Sequence, residues 1–302
     1  MLTLFTIPKP FKGQIEVTQR NALKSWTLLA PNVELIVFGE EVGTAEVCRE
    51  FGLRHEPQIE CNEFGTPILN DAFDRAQAMG RHGWLCYSNC DIILMSDFTR
   101  AFARLKAWRD GFMMVGQRWD TDITEPLDFD TPDWESRLRQ RASSQGKQRS
   151  PDWIDYFVFK RGECAGLPAF VVGRPCWDHW LIWWMRHNHV PVVDASPVVM
   201  AVHQNHDYSY HPEGVKGARE GPEFQRNRAL VGSWRHLHTI ADASHVLDRS
   251  GVRRRFHHQR LLIEREWTHW RNRLLVATGP VRHRLGLRKG TLVGIFRAKP
   301  GS

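Results

Sequence analysis

Short apolar runs alternate with amphipathic stretches over the first third of the chain. Residues 2–7 and 33–38 have the β-branched and aromatic content of buried strands. Helical spacing follows the first run, with Trp26 and Leu29 on one face of residues 15–29. The same alternation then predicts a helix over 44–51, a strand over 53–59 and a helix from Pro67 to about Met79. This order is typical of a doubly wound sheet covered by helices on both faces.

The most apolar run, residues 84–95, predicts a central strand with one polar interruption, Ser88-Asn89-Cys90-Asp91. A carboxylate is costly in such a strand unless it is paired. Ligands of open α/β sheets bind beyond the carboxyl ends of the strands, and we expect Asn89 and Asp91 to face the same way at that edge. Two oxygen ligands there suit a divalent cation, whereas an Asx turn that ends the strand explains the same residues equally well.

The pattern is less regular beyond Asp97. Residues 120–151 are polar and predict a partly helical insertion near the functional site. The remaining apolar and amphipathic runs predict a helix over 98–108, strands over 112–115, 153–160 and 190–194, a tryptophan-rich helix over 177–187 and a strand-like segment over 198–203.

Length and cysteine content limit the class of protein. A chain of 302 residues suits one large domain, or one domain plus an extension. The six cysteines form no C-x-x-C pair and no zinc pattern, so we expect reduced thiols and a cytoplasmic protein, which could associate with the inner face of the membrane. We identify no signal peptide, and no run approaches the roughly 18 apolar residues of a membrane span.

Positive charge is concentrated at the C-terminal end. The net charge is +7, but residues 248–302 carry 14 Lys/Arg against 3 Asp/Glu, which leaves the rest mildly acidic. A helix is predicted over 256–276, because Ile263, Trp267 and Leu274 fall on one face. We therefore divide the chain into a domain over residues 1–245 and a basic, mostly helical extension over residues 246–302.

The basic extension has two interpretations. Its predicted helix could lie on an anionic membrane surface, as suits an enzyme with a lipid-linked acceptor. Alternatively, its apolar face packs on the domain and the arginines stay solvated. Nucleic acid is not an expected partner, because no recognised nucleic-acid-binding fold surrounds these residues.

The element order, with Asn89-Cys90-Asp91 after three strand–helix units, resembles the GT-A class of nucleotide-sugar-dependent glycosyltransferases, in the nucleotide-diphospho-sugar transferase superfamily. The resemblance covers residues 1–245 and implies a GT-A-like doubly wound mixed sheet with a Rossmann-like nucleotide-binding half. In that family a D-x-D-type motif binds a divalent metal, Mn²⁺ or Mg²⁺, together with the donor diphosphate. Here the first position is Asn, so Asp91 is the stronger candidate for a metal ligand and Asn89 the weaker one. The resemblance also makes Asn89 a candidate for contact with the donor.

The resemblance also implies a catalytic base and a histidine ligand. Asp178 stands at the start of a late helix, where the family often places its base, and Trp177 beside it could stack on a sugar and raise the carboxyl pKa by desolvation. The plainer interpretation is that Asp178 caps the helix. His203 follows the strand-like segment and fits the position of a metal ligand, and His206 is the reserve for that role or for substrate contact.

Supporting roles follow from the same resemblance. Pro8, Lys9 and Glu40 lie where the family holds the nucleoside. Asn70 belongs to the helix ahead of the motif and is placed with them as a donor-binding residue. Asp155 and Arg174 could contact the sugars, although a structural ion pair explains either residue equally well.

These expectations combine into one reaction: a metal-dependent transfer of a sugar from a nucleotide-diphosphate donor to a hydroxyl of a glycan or lipid-linked acceptor. If the stereochemistry is inverted, Asp178 would deprotonate that hydroxyl, and if it is retained, Asp178 would position the acceptor. A non-catalytic carbohydrate- or membrane-binding protein on a transferase scaffold is the alternative. A sugar nucleotidyltransferase ranks lower, because Ile7-Pro8-Lys9-Pro10 contains no Gly-rich loop with Arg or Lys after the first strand.

Overall fold

The computed structural model describes residues 2–29, 33–206 and 220–255. The strands in these ranges are β1 (Leu2–Thr6), β2 (Val33–Phe38), β3 (Arg54–Glu56), β4 (Trp84–Ser88), β5 (Ile92–Ile93), β6 (Met113–Val115), β7 (Arg118–Thr121), β8 (Lys147–Gln148), β9 (Tyr156–Lys160), β10 (Val192–Asp194), β11 (Ala201–Gln204), β12 (His245–Leu247) and β13 (Val252–Arg254). The helices are α1 (Gly13–Thr27), α2 (Thr44–Phe51), α3 (Leu69–Met79), α4 (Ser96–Trp108), α5 (Trp134–Gln145), α6 (Trp177–His187) and α7 (Pro222–Val231). Two 3₁₀ helices, Trp234–His236 and Ile240–Asp242, follow α7.

Nine strands form the main sheet, in the order β13-β12-β10-β6-β9-β4-β1-β2-β3. Strands β3, β2, β1 and β4 are parallel, as are β6, β10 and β12. Strand β9 runs antiparallel between β4 and β6, and β13 runs antiparallel at the edge. The prediction of an α/β fold with a doubly wound mixed sheet is therefore confirmed.

Helices cover both faces of this sheet. Apolar side chains of α1, α2 and α4 pack on one face, and those of α3, α6 and α7 pack on the other. Successive strand residues point to opposite faces, so Leu4 of β1 enters the first core and Phe5 the second. In the second core Phe5 packs edge-on against Phe73 of α3 at 5.0 Å. Burial on both faces explains why these strands are apolar throughout rather than alternating.

A second sheet, in the order β5-β11-β7-β8, lies partly in the segment predicted as an insertion. The prediction of one strand over residues 84–95 is wrong, because β4 ends at Ser88 and β5 pairs with β11 in this other sheet. The polar residues cause the break: the amide of Ile92 donates to the carbonyl of Asn89 at 3.3 Å and closes a turn. The insertion is partly helical, as predicted, since it contains α5.

Several element boundaries differ from the predicted ones. Strand β3 is shorter than predicted, and β9 starts at Tyr156 rather than at residue 153. His203 was expected after a strand but lies inside β11. It pairs there with Ile92 of β5 and Asp120 of β7, so two neighbouring strands fix its backbone.

The main sheet continues past residue 245, because β12 pairs with β10 and β13 pairs with β12. The compact unit accordingly extends to Arg255, ten residues beyond the predicted division at 245. The helix predicted over 256–276, and most of the basic extension with it, lies outside the described residues. All six cysteines are free, and five of them are buried. Among the described residues, no helix has both the length and the apolar content needed to cross a membrane.

Candidate active site

A cavity of about 1220 Å³ opens at the carboxyl ends of β1 and β4. Lys9 follows β1, and the turn from Asn89 to Asp91 follows β4. Asp155 directly precedes β9, which is antiparallel to β4 and therefore starts where β4 ends. The second sheet contributes His203, and the first turn of α6 contributes Asp178. The fold thus brings chemistry-bearing residues from five separate parts of the chain to one edge.

Asp91 and two histidines form the most compact polar group in the cavity. The Oδ2 atom of Asp91 lies 3.1 Å from Nε2 of His206 and 3.9 Å from Nε2 of His203. One ligand atom from each of the three residues falls within 4.8 Å of the others. The second carboxylate oxygen of Asp91, Oδ1, is buried and has no hydrogen-bond partner in the described part of the chain. Such an orphaned oxygen beside two imidazoles fits a cation ligand.

Positive groups keep Asp91 ionised. Burial alone would raise its pKa, but the hydrogen bond from His206 and the charges of His203 and Lys9 outweigh burial and hold the pKa well below its usual range. Lys9 contributes from close by, since its Nζ lies 3.5 Å from Nε2 of His206. The carboxylate is therefore in the form that binds a metal.

Asn89 takes part in the turn that ends β4. Its amide Nδ2 donates to Oδ1 of Asp155 at 2.8 Å, and its own Oδ1 accepts from the hydroxyl of Tyr87 at 3.2 Å. Its backbone N–H donates to the carbonyl of Asp155 at 2.9 Å. The turn and the metal interpretations are thus compatible, because the turn presents Asp91 to the histidines. Asn89 as a metal ligand stays a prediction.

Arg118 and Asp120 are site residues that the sequence analysis missed. The guanidinium of Arg118 donates to both oxygens of Asp155, at 3.1 and 3.2 Å, and to Oδ1 of Asp120 at 2.7 Å. Asp120 in turn lies 3.1 Å from Nδ1 of His203. A usable signal existed, because Arg118 and Asp120 are two residues apart and so share one face of a short strand. The assignment of residues 120–151 to an irregular insertion hid it.

Asp178 also lines the cavity. It lies in the first turn of α6, and its side chain is 19% exposed. Burial raises the pKa of its carboxyl, and the charge of Asp155 raises it further, while the charge of His179 and a backbone hydrogen bond from His179 oppose the shift. The direction is the one that the sequence predicted. A carboxylate whose pKa is raised is a stronger base than an ordinary aspartate.

Two other residues that were predicted to contact the substrate, Trp177 and Arg174, interact with other side chains of the protein. Trp177 lines the cavity but is only 5% exposed, and its ring packs at 5.3 Å from that of Tyr87 and at 5.2 Å from that of Phe157. Most of the Trp177 side chain is therefore packed in the hydrophobic core. The Nε atom of Arg174 donates to Oε2 of Glu223 at 3.0 Å in a buried ion pair. Both Arg174 and Asp155 thus belong to ion pairs, the alternative that the sequence left open for each.

Two predicted donor-binding residues lie apart from the rest. Glu40 is exposed and is not part of the cavity wall, whereas its neighbour Glu41 is. Asn70 lies in the first turn of α3 and is also outside the wall. Pro8 and Lys9, by contrast, line the cavity as expected.

Negative charge predominates in the cavity wall. Seven carboxylates face four basic side chains among the described lining residues: Glu41, Asp91, Asp120, Asp152, Asp155, Asp178 and Glu223, against Lys9, Arg118, Arg149 and Arg174. Three of the basic groups, Arg118, Arg149 and Arg174, are already paired with these acids. A polyanionic ligand entering this cavity would meet repulsion unless a cation accompanied it.

No protein-family model matches the chain, and no curated protein matches it either. Among solved structures, it is similar to glucosyl-3-phosphoglycerate synthase from Mycobacterium tuberculosis in complex with Mn²⁺, UDP and glucosyl-3-phosphoglycerate, at 13% identity over 68% of this chain and 72% of that one, with a TM-score of 0.43. It is also similar to the mannosyltransferase PcManGT from Pyrobaculum calidifontis in complex with GDP-Man and Mn²⁺, at 14% identity over 70% of this chain and 58% of that one, with a TM-score of 0.42.

A third similar structure is Staphylococcus aureus TarS in complex with UDP, at 12% identity and a TM-score of 0.33. That match covers 40% of this chain and 36% of TarS, so the chain matches about a third of that structure. These likenesses are confined to the fold.

Proposed function

We propose that the chain is a metal-dependent glycosyltransferase, which transfers a sugar from a nucleotide-diphosphate donor to a hydroxyl of a glycan or lipid-linked acceptor. The observation that carries the proposal is the group formed by Asp91, His203 and His206 at the carboxyl edge of the sheet. Its ligand atoms lie within 4.8 Å of one another, and it contains a buried carboxylate oxygen without a partner among the described residues.

The cavity charge supports a donor that arrives with a cation. A diphosphate is repelled by a wall in which carboxylates outnumber basic groups, and a divalent cation reverses that sign locally. Asp91, His203 and His206 would hold this ion, and two imidazoles beside one carboxylate favour Mn²⁺ over Mg²⁺. When bound, the ion neutralises the charge that develops on the departing diphosphate. Lys9, whose ammonium lies beside the same group, would contact the phosphates directly.

Asp178 is placed to handle the acceptor proton. In an inverting transfer, the acceptor oxygen forms a bond to the anomeric carbon while the bond from that carbon to the phosphate oxygen breaks, its electron pair leaving with the diphosphate. The acceptor proton passes to the Asp178 carboxylate, whose raised pKa makes it an effective base. The half-buried position at the start of α6 limits competition from water at that oxygen.

Calorimetry of nucleotide binding tests this proposal. UDP, GDP and dTDP are titrated into the full chain with and without Mn²⁺, alongside Asp91→Ala. We expect one of the three nucleotides to bind with Mn²⁺, and binding to be lost in Asp91→Ala. Asp110→Ala is the matched control, because this exposed carboxylate pairs with Lys160 on the surface. Absence of binding to the wild type, or equal metal-dependent binding by Asp91→Ala, would overturn the proposal.

Turnover separates an enzyme from a binding protein. Hydrolysis of a panel of nucleotide sugars is monitored in the presence of Mn²⁺ by measuring the nucleoside diphosphate that is released. Slow hydrolysis that requires Asp91 supports the transferase. Tight, metal-dependent nucleotide binding with no turnover of any donor would favour the non-catalytic alternative.

A further inference from the structure

Asp120 stands behind one of the candidate metal ligands, on the side away from Asp91. Its Oδ1 atom lies 3.1 Å from Nδ1 of His203, whereas the other ring nitrogen, Nε2, lies 3.9 Å from Oδ2 of Asp91. The imidazole of His203 is thus held between two carboxylates. His203 is also buried, so its ring is shielded from water that could replace either partner.

Asp120 and His203 lie within hydrogen-bond distance of each other, but they do not form a hydrogen bond. Nδ1 of His203 is a buried polar atom with no hydrogen-bond partner among the described residues, although Oδ1 of Asp120 is within reach. A buried ring nitrogen of this kind is normally satisfied. A small rotation of the imidazole would complete the bond.

Two arginines hold Asp120 in place. The Nε atom of Arg118 donates to Oδ1 at 2.7 Å, and Nε of Arg149 lies 3.1 Å from Oδ2. Both guanidiniums pack over the ring of Trp153, each with its central carbon 4.4 Å from the ring centre. Arg118 also reaches Asp155. The carboxylate therefore has a fixed orientation that does not depend on His203.

From this geometry we infer that Asp120 is the positioning residue of the metal site: it takes the proton-bearing Nδ1 of His203 as its hydrogen-bond partner, so that Nε2 is left unprotonated and turned toward Asp91. The inference rests on the proposed function in that it assigns His203 to the cation. A metal-bound imidazole usually donates its second N–H to a carboxylate or carbonyl, which fixes the tautomer and the ring orientation.

The first test measures Mn²⁺ affinity from the electron paramagnetic resonance signal of the free ion, without nucleotide. Asp120→Ala should weaken Mn²⁺ binding by roughly 10–100-fold, the loss typical of removing such a partner. Asp120→Asn keeps an oxygen that can accept the proton of Nδ1, so it should recover part of that affinity. Asp110→Ala, the exposed control, should bind Mn²⁺ as the wild type does.

The second test reads the tautomer directly in metal-free protein by nitrogen-15 NMR of labelled histidine, with the His203 signals assigned from His203→Asn. The wild type and Asp120→Asn should show the tautomer protonated at Nδ1, and Asp120→Ala a mixture. An unchanged tautomer in folded Asp120→Ala, or unchanged Mn²⁺ affinity, would overturn the inference. Folding of each variant is checked by circular dichroism. If Asp120→Ala does not fold, the Mn²⁺ affinity of Asp120→Asn decides the test, because it should lie below that of the wild type and an equal affinity would overturn the inference.

The two proposals fail separately. If the wild type binds neither Mn²⁺ nor nucleotide, the proposed transferase function is lost, but the tautomer measurement still reports on Asp120. If the wild type binds both and the tautomer is independent of Asp120, the function stands and only the positioning role is wrong.

Discussion

Asp91 and Asp178 line the same cavity, and their surroundings push their pKa values in opposite directions. Asp91 has His206, His203 and Lys9 as neighbours, and their combined effect lowers its pKa. The pKa of Asp178 is raised by burial and by the charge of Asp155, against which His179 and the backbone N–H of Asp178 itself have the smaller effect. Both are desolvated, so burial alone does not separate them. The comparison shows that the neighbours, and not the depth of the side chain, decide the direction in which each pKa moves.

The difference between the two carboxylates suits a division of roles. A carboxylate that remains ionised over a wide pH range is a permanent anion for a cation, whereas one with a raised pKa takes up a proton more readily. The two would then act on opposite ends of a donor–acceptor pair: Asp91 at the leaving diphosphate and Asp178 at the attacking hydroxyl.

The largest expected effect distinguishes the two residues by kinetics. Asp178→Asn removes the base, so we expect kcat to fall by roughly 10²–10⁴-fold while metal-dependent nucleotide binding is unchanged. Asp91→Asn removes the ionised ligand, so nucleotide binding itself should be lost. Calorimetry and steady-state kinetics on the same preparations measure both quantities. Loss of nucleotide binding in Asp178→Asn would contradict the division of roles, and Asp110→Asn serves as the surface control.

The second prediction concerns Arg118, which pairs with two carboxylates of the cavity wall. Its guanidinium pairs with Asp155 on one side and Asp120 on the other, and it is buried. Arg118→Met leaves two desolvated carboxylates without their partner, so the free energy of unfolding should fall by about 3–5 kcal/mol. Urea denaturation measures this change. Arg137→Met breaks an exposed pair with Asp133 and should cost at most about 1 kcal/mol. Equal effects of the two substitutions would show that Arg118 is not a structural link.

Sequence reasoning found both carboxylates because their signals are local. Asp91 interrupts an apolar run, and Asp178 begins an amphipathic helix whose bounds the structure reproduces, Trp177–His187. The contact between Asp120 and His203 has no such local signal, since it depends on the parallel pairing of β7 with β11, which brings together residues 83 positions apart. Pairing of short strands in a second sheet is decided by tertiary packing, and sequence patterns do not report it.

The same limit explains why Arg174 and Asp155 were predicted to contact the substrate rather than to form ion pairs. Arg174 and Asp155 were chosen because their side chains suit sugars and phosphates. Their ion-pair partners, Glu223 and Arg118, lie 49 and 37 residues away and could not be foreseen. Residues 84–95 were predicted as one strand because the apolar run continues beyond Asp91, although β5 belongs to a different sheet.

A third prediction follows from the raised pKa of Asp178. A base must be deprotonated to act, so kcat should fall as the pH drops below this pKa, by about tenfold per pH unit once the carboxyl is mostly protonated. The fall should begin at higher pH than for an unperturbed aspartate, whose pKa is about 3.9. Rates measured at saturating donor and Mn²⁺ locate this limb of the profile. A rate that stays constant down to about pH 4 would exclude Asp178 as the base.

The smallest expected effect is a gain in stability. Because the folded-state pKa of Asp178 lies above its unfolded value, its ionisation destabilises the fold. This cost is absent below the unfolded pKa, grows as the pH rises between the two values, and is complete above the folded pKa. Asp178→Asn keeps an oxygen for the N–H groups of α6 but carries no charge, so it should raise the free energy of unfolding by about 0.5–2 kcal/mol at pH values above the folded pKa.

Asp248 provides a control, because its substitution should change the free energy of unfolding in the opposite direction. Its side chain accepts hydrogen bonds from Ser250 and Arg253, which lower its pKa to about 2. The stabilisation that it provides is present above the unfolded pKa and is lost as the pH falls through the folded value. Asp248→Asn should therefore lower stability where Asp178→Asn raises it, as measured by urea denaturation across the same pH series. If Asp178→Asn were instead less stable at every pH, the carboxylate would be holding the start of α6 together, and the helix-capping interpretation of Asp178 would replace the catalytic one.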